Sequence, residues 1–499
     1  MRGIWVSERL LIGIDAGTTA VKAAAFTLTG TPVAGARQSL NVLRPEPRFS
    51  EIAMQDIWQA VIACLRDIAG QIDTGRVAGI GVCGQGDGLW MLDADKQPLR
   101  NAILWNDARA SDEVSDWATD GTADAISRHC RTAIWPGTAG AALRWVQDNE
   151  PTVFERIAHI LFAKDWIVYN LTGTLGSDFS DATIPFLDLD TGSYAPEIFS
   201  ALGLPDMSGK LVQPSRASDP AGPLDADLGF GPVPVARGTL DLAAMMAGAG
   251  LNAPGDMCLI LGTTAVLSYV APPEPFTTPP LAATVHHPLS ADWIRVLAPQ
   301  TGASAFDWFA ALHPNSFGGA DAGEISAKIN EAAQHVPPGA NGVLFLPFLT
   351  GERAPFVAPE AAGSFHGLRI STTKADLARA VMEGTGFSLR HCLQASGAPA
   401  PERVVLTGGG ARNTLWCQIV ADILGVTILA NASEDHGLWG AALLGGAAAG
   451  LCDPLNGARD EGFDTFTPDP AAHAIYSNIF ETYLMAIDAS QPIWSAMRS

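Results

Sequence analysis

Residues 404–450 read VVLTGGGARNTLWCQIVADILGVTILANASEDHGLWGAALLGGAAAG. A β-branched run, Val404-Val405-Leu406, ends in Thr407 and the three glycines Gly408, Gly409 and Gly410. Apolar residues then recur at helical spacing from Leu415 to Leu424. Strand, glycine turn, helix is an arrangement that brings backbone N–H groups close to a phosphate or a flat ring. A glycine cluster on its own is more often a plain turn. Two echoes upstream change that balance.

The first echo is Leu10-Leu11-Ile12-Gly13-Ile14-Asp15-Ala16-Gly17-Thr18-Thr19, an apolar strand that runs into an acid and a small-residue turn. Val21 to Phe26 continues as a second strand, which makes a hairpin with Asp15 and Gly17 at its mouth. The second echo is Met257 to Leu261, Gly262-Thr263-Thr264, then Ala265-Val266-Leu267. The two Gly-Thr-Thr turns lie 245 residues apart, half of a 499-residue chain, so two similar domains related by duplication are expected. Backbone N–H groups and hydroxyls at such a turn are donors suited to a phosphate.

Composition limits the alternatives. The chain is 47% hydrophobic and 16% charged, as expected of a well-buried globular protein of more than one domain. A formal net charge of −22 with no Lys/Arg cluster argues against a nucleic-acid partner. Cys64, Cys83, Cys130, Cys258, Cys392, Cys417 and Cys452 are scattered and form no C-x-x-C pair, so reduced thiols in a cytoplasmic protein are expected. Glu8 and Arg9 interrupt any signal-like apolar run, and Gly437–Cys452, rich in Ala and Gly, suits a tightly packed helix better than a membrane span.

Between the echoes, Gln55 to Ile72 has helical periodicity, and Val77 to Cys83 is a short buried strand that ends in Gly84-Gln85-Gly86-Asp87-Gly88. Polar side chains between glycines at a strand end can be directed at a ligand. Trp105 precedes Asn106-Asp107-Ala108-Arg109, whose plain reading is a solvated ion pair. Residues 141–153 and 159–169 read as helices, and Asp178–Thr183 as a loop. Asp241 precedes a small-residue helix, where its simplest role is an N-cap. Glu352-Arg353 reads as an ion-pairing dipeptide, and the segment around 472–490 as terminal helices.

Taken in order, Asp15-x-Gly17-Thr18-Thr19, Gln85, Asp241, Gly262-Thr263-Thr264, Leu346-Pro347-Phe348-Leu349-x-Gly351-Glu352-Arg353 and Gly408-Gly409-Gly410-Ala411-x-Asn413 resemble the FGGY carbohydrate kinases. The match spans about residues 10–450. The resemblance implies an α/β fold of two RNase H-like domains of the actin and hexokinase type, 8–246 and 247–499, with nucleotide and sugar in a central cleft. It implies ATP and Mg²⁺ as cofactors, with Asp15 helping to hold the metal. Gly17, Thr18, Thr19, Gly262, Thr263 and Thr264 would meet the phosphates, and Gly408–Gly410 with Asn413 would line the adenosine site. Asp241 would be the catalytic base. Dimers are common in that family, so a homodimer is the oligomer to test for.

Better-known members carry Met-His or Arg-Glu where this chain has Gly86-Asp87. The stretch looks closest to polyol and L-ketose members, such as erythritol or L-xylulose kinases. Gln85, Asp87, Trp105 and Asp241 are therefore the expected substrate contacts, and a four- or five-carbon polyol or ketose the expected substrate. An actin-like ATPase clamp or a sugar-sensing regulator would use the same nucleotide loops. Asp241 and the segment from Leu346 to Arg353 speak for a kinase.

Overall fold

The computed structural model describes residues 9–275, 283–312, 322–431, 436–456 and 462–497. They form two compact units, each discontinuous in sequence. The first comprises residues up to Asn252, Pro272–Ile294 and Asp435–Asp460, and the second holds the remainder.

In the first unit the strands β1 (Leu10–Ala16) and β2 (Ala20–Thr27) form the hairpin read from sequence, with Asp15 opposite Lys22 across the pair. β3 (Pro32–Ser39) extends it antiparallel. Helix α1 (Met54–Ala69) turns Ile57, Val61, Cys64, Leu65 and Ile68 inward at helical spacing. β4 (Val77–Gly84) then pairs parallel with β1. Both strands are buried nearly throughout, which accounts for runs of apolar and small residues instead of alternation.

A long insertion follows, containing α2 (Ala163–Thr172) and the single helical turn α3 (Phe179–Ala182). Two expectations fail there. His159–Leu161 is a strand paired with Trp90–Leu92, and the helix begins only at Ala163, because Asp165 accepts from the Phe162 N–H and fixes the helix start. Residues 178–183 are not an open loop, because Asp178 caps α3 by accepting from the N–H groups of Ser180 and Asp181. The sheet resumes with β5 (Pro234–Ala236), parallel to β4, and α4 (Asp241–Gly248) follows.

The second unit repeats the plan. β6 (Met257–Leu261) and β7 (Ala265–Ala271) are antiparallel around the second Gly-Thr-Thr turn, and α5 (Ser304–Leu312) follows in sequence. Helix α6 (Lys374–Ser396) opens with a Thr373–Asp376 capping box. β8 (Arg403–Thr407) runs parallel to β6, α7 (Thr414–Leu424) returns across the sheet, and β9 (Thr427–Ala430) lies parallel to β8. Each unit thus holds a hairpin whose first strand has a parallel neighbour on its other edge. The Glu352-Arg353 dipeptide is not mutually paired: Glu352 Oε1 accepts from the N–H groups of Gln300, Arg353 and Ala354, while Arg353 Nε donates to the Ala298 carbonyl at 2.7 Å.

Helix α8 (His436–Ala448) belongs to the first unit. It is buried on nearly all sides and packs on β1, β4 and α4. Glycines make the approach backbone to backbone: a Cβ at Gly81 would fall on the Ala441 carbonyl, and one at Gly440 on the Ala244 carbonyl. The tail is one helix, α9 (Pro470–Met497), where two or more were expected, since its apolar face continues past Ser490 to Trp494. The seven cysteines form no disulfide, and among the described residues no helix is long and apolar enough to cross a membrane.

Candidate active site

Three parallel strand ends lie in register in the first unit. Ala16 of β1 is opposite Gly84 of β4, and Gly84 is opposite Leu240 of the short strand Thr239–Leu240. The residues that follow these ends are Gly17-Thr18, Gln85-Gly86-Asp87 and Asp241. Ligands of parallel α/β sheets bind beyond the carboxyl ends of the strands, so the topology gathers the candidates that sequence had spread over 226 positions (15 to 241).

A chain of hydrogen bonds orders this edge. The Trp105 indole Nε1 donates to Thr18 Oγ1 at 3.0 Å, and the Thr18 hydroxyl donates to Gln85 Oε1 at 3.1 Å. That leaves Gln85 Nε2 buried and without a partner. The Thr18 hydroxyl is therefore committed, and a phosphate at this turn would be met by backbone N–H groups. Trp105 is half-buried, and its carbonyl accepts from Trp135 Nε1 at 3.3 Å. The neighbouring Asp107–Arg109 pair, read as solvated, is buried instead. Arg109 donates to Asp107 and to Glu51, and its guanidinium lies 4.0 Å from the centroid of the Phe49 ring. Arg100 also pairs with Glu51. Single charges are costly to bury, so this linked set fixes the loop that presents Trp105.

Asp87 has φ of 60°, in the left-handed region, and the following Gly88 has φ of 73° with no room for a Cβ against the Ile103 carbonyl. Such backbone is sparsely populated and concentrates at functional sites. Asp87 Oδ1 is buried with no hydrogen-bond partner. Burial, with Asp181 and Asp241 nearby, pushes its carboxyl well above the usual range. Asp241 is the first residue of α4, not its cap; Leu240 holds the cap position. Its Oδ1 accepts from the Leu242 N–H at 2.6 Å. Burial, and then the charge of Asp15, raise its pKa to about 7, the range in which a carboxylate serves well as a base at neutral pH.

Asp15 Oδ1 is likewise buried and unpartnered, and burial raises its pKa while Lys22 opposes the rise. One free, hard carboxylate oxygen fits a Mg²⁺ ion that draws its other ligands from phosphates and water. No cluster of three or more metal-ligating side chains occurs among the described residues.

In the second unit the Gly262–Thr264 turn is braced from below. Thr263 O accepts from the Gly302 N–H at 3.0 Å and from Ser304 Oγ at 2.6 Å. Gly408 has φ of 88°, a Cβ at Gly410 would collide with Leu261, and Gly409 has open space on its side. Asn413 caps α7: its Oδ1 accepts from the Trp416 N–H and its Nδ2 donates to Asn330. Its amide is thus occupied in shaping the glycine turn.

Sequence reading missed the cluster behind Asp87. Lys164, fully buried, lies 2.6 Å from Asp165 Oδ1, 3.0 Å from Asp178 Oδ1 and 3.0 Å from Asp181 Oδ2. The available signal was Lys164-Asp165 followed by Asp178-x-x-Asp181, charges inside otherwise apolar segments.

Models of the FGGY family of carbohydrate kinases match the chain twice, the N-terminal domain over residues 10–248 and the C-terminal domain over residues 257–449. A xylulose kinase of Escherichia coli (strain K12) is 34% identical over 449 residues, covering 88% of this chain and 90% of that protein. An erythritol kinase of Brucella abortus (strain 2308) is 27% identical, covering 98% of each. The crystal structure of xylulose kinase from Rhodospirillum rubrum superposes with a TM-score of 0.89 at 26% identity, over 98% of this chain and 100% of that one.

Proposed function

Because the chain belongs to the FGGY family of carbohydrate kinases, and is thus a sugar or polyol phosphotransferase, we propose that it moves the γ-phosphoryl group of ATP to a hydroxyl of a four- or five-carbon substrate. The class is a pentulose of the xylulose kind or a polyol such as erythritol, in keeping with the named relatives. Residues 8–246 and 247–499 would be its two functional halves.

The observation that carries the substrate class is the row of unsatisfied polar atoms beyond the strand ends, Gln85 Nε2 and Asp87 Oδ1 next to Asp241. Buried polar atoms without partners are costly, and a polyhydroxylated chain supplies both donors and acceptors. The half-exposed face of Trp105 would cover the apolar C–H side of such a chain.

Asp241 would take the proton of the attacking hydroxyl as the phosphoryl group arrives. Phosphoryl transfer asks the protein mainly to position groups and neutralise charge. Backbone N–H groups at Gly17–Thr19 and Gly262–Thr264 would serve the phosphates, and Gly408–Gly410 with the Asn413 cap would shape the adenosine site. Mg²⁺, held through Asp15, would supply positive charge beside the phosphates. The test is coupled ADP release with Mg²⁺-ATP against a panel of pentuloses, tetritols, pentitols and aldonates. One compound turned over far above the others supports the reading. ADP release that no compound stimulates overturns it in favour of an ATPase.

A further inference from the structure

We propose that Asp181 is a further substrate-positioning residue, whose Oδ1 accepts a hydrogen bond from a second hydroxyl of the sugar or polyol, alongside Asp87. The proposal rests on the kinase reading above and deepens it.

Three carboxylates surround the Lys164 ammonium, and two are already consumed by the fold. Asp165 accepts from Lys164 and from the Phe162 N–H, and Asp178 accepts from the N–H groups of Ser180 and Asp181. Asp181 differs. It is 2% exposed, its Oδ2 lies 3.0 Å from the Lys164 ammonium as an ion pair, and neither of its oxygens accepts a hydrogen bond, Oδ1 lying away from any cation pair. A carboxylate used only as a counter-ion needs no second, empty oxygen in the interior.

Its position relates that oxygen to the site. A Cβ built on Gly86 would stand 3.4 Å from Asp181 Oδ1 and 3.5 Å from Leu240 Cβ. Gly86, between Gln85 and Asp87, is therefore flanked by that free oxygen on one hand and by the residue before Asp241 on the other. The support is shared as well: Ser180 Oγ accepts from the Leu240 N–H at 3.0 Å and bonds Thr239 Oγ1 at 2.8 Å. The helical turn that carries Asp181 is thus tied to the segment that carries Asp241. Because residue 86 is glycine, nothing of its own side chain stands in front of Oδ1. Burial favours the neutral form of both Asp87 and Asp181, which lets the pair donate as well as accept toward hydroxyls.

The experiment compares wild type, Asp181→Asn and Gly86→Ala on the best substrate of the panel and on its deoxy analogues, one carbon at a time. The alanine methyl fits at ordinary contact distance but shields Oδ1, so it tests the subsite should Asp181→Asn fold poorly. The expected result is a loss of about 10- to 100-fold in kcat/KM for each variant on the parent compound. On one deoxy analogue, which lacks the hydroxyl concerned, variants and wild type should become nearly equal. A loss of the same size on every analogue, or none on the parent, overturns the subsite and leaves the kinase reading standing. Failure of wild type to turn over any panel compound overturns the substrate class, and the subsite with it.

Discussion

The substitution Gly440→Ala puts one methyl group between α8 and α4. A Cβ at that position would stand 2.7 Å from the carbonyl carbon of Ala244 and would overlap its oxygen. Non-bonded carbons settle at about 3.5–4.0 Å, so the two helices must part by about 1 Å. The helix that yields can be identified from the opposite face. There α8 already lies against the sheet, with the Ala441 carbonyl over Gly81 and Gly445 over the Ile80 backbone, so it has nowhere to retreat. α4 moves instead, and Asp241 is its first residue.

A misplacement of about 1 Å at a reacting group costs on the order of 10²-fold in rate, and overpacking a core costs about 1–3 kcal/mol of stability. The expected phenotype is a folded enzyme with kcat about 100-fold lower and a slightly earlier urea midpoint. The assay is ADP release at saturating substrate, with a denaturant melt on the same preparation. Gly437→Ala is the control. It lies on the same helix, its new methyl would have only Cys83 Sγ at 4.0 Å, and alanine is the better helix former by about 1 kcal/mol. Wild-type kcat in Gly440→Ala, or an equal loss in Gly437→Ala, would refute the wedge argument.

Two further outcomes test the charges. Asp241→Asn should abolish transfer while leaving ATP binding, measured by titration calorimetry, near the wild-type value; it should also melt later than wild type at pH 8 and no later at pH 4. The sign follows from the raised pKa: between the ordinary carboxylate value and about 7 the folded wild type holds a proton that the unfolded chain gives up, so its stability falls as pH rises through that window, and asparagine removes the fall. Lys164→Met should destabilise the fold by about 3–5 kcal/mol near pH 8, because it leaves three buried carboxylates facing one another. That loss should shrink toward pH 5 as the carboxylates take up protons, and a pH-independent loss in urea melts would show that packing, not charge, is Lys164's contribution.

The strand–turn–strand echoes were legible because their signal is local. Apolar residues end at an acid or a glycine, and both turns have the same three residues, Gly17-Thr18-Thr19 and Gly262-Thr263-Thr264. The same holds for Gln85 and Asp241, which stand at strand and helix ends whatever the tertiary packing. What stayed hidden depends on distant partners. The Asp107–Arg109 pair looks solvated until Glu51, 58 residues away from Arg109, is seen to complete it. Residues 159–161 satisfy a helical pattern as well as a strand pattern, and only the pairing with Trp90–Leu92 decides. Thr18 read as a phosphate ligand, yet its hydroxyl bonds both Trp105 and Gln85, 87 and 67 positions away, connections that no spacing rule reveals.

The acidity of the site is best understood through what it excludes. Asp15, Asp87, Asp181 and Asp241 bring four carboxyl groups to one end of a sheet, with Lys164 the buried cation beside them. Several of their oxygens and Gln85 Nε2 have no hydrogen-bond partner within the chain, and buried polar atoms in that position are costly. A compound rich in hydroxyls reverses the deficit one hydrogen bond at a time. An isostere that lacks a hydroxyl leaves the buried oxygen as costly as before, and such sites reject analogues far more strongly than apolar pockets do. Selection for hydroxylated chains and the cost of these buried polar atoms would therefore have one cause. It lies in the carboxylates at the end of β1, beyond the end of β4, at the start of α4 and on the turn tied to it.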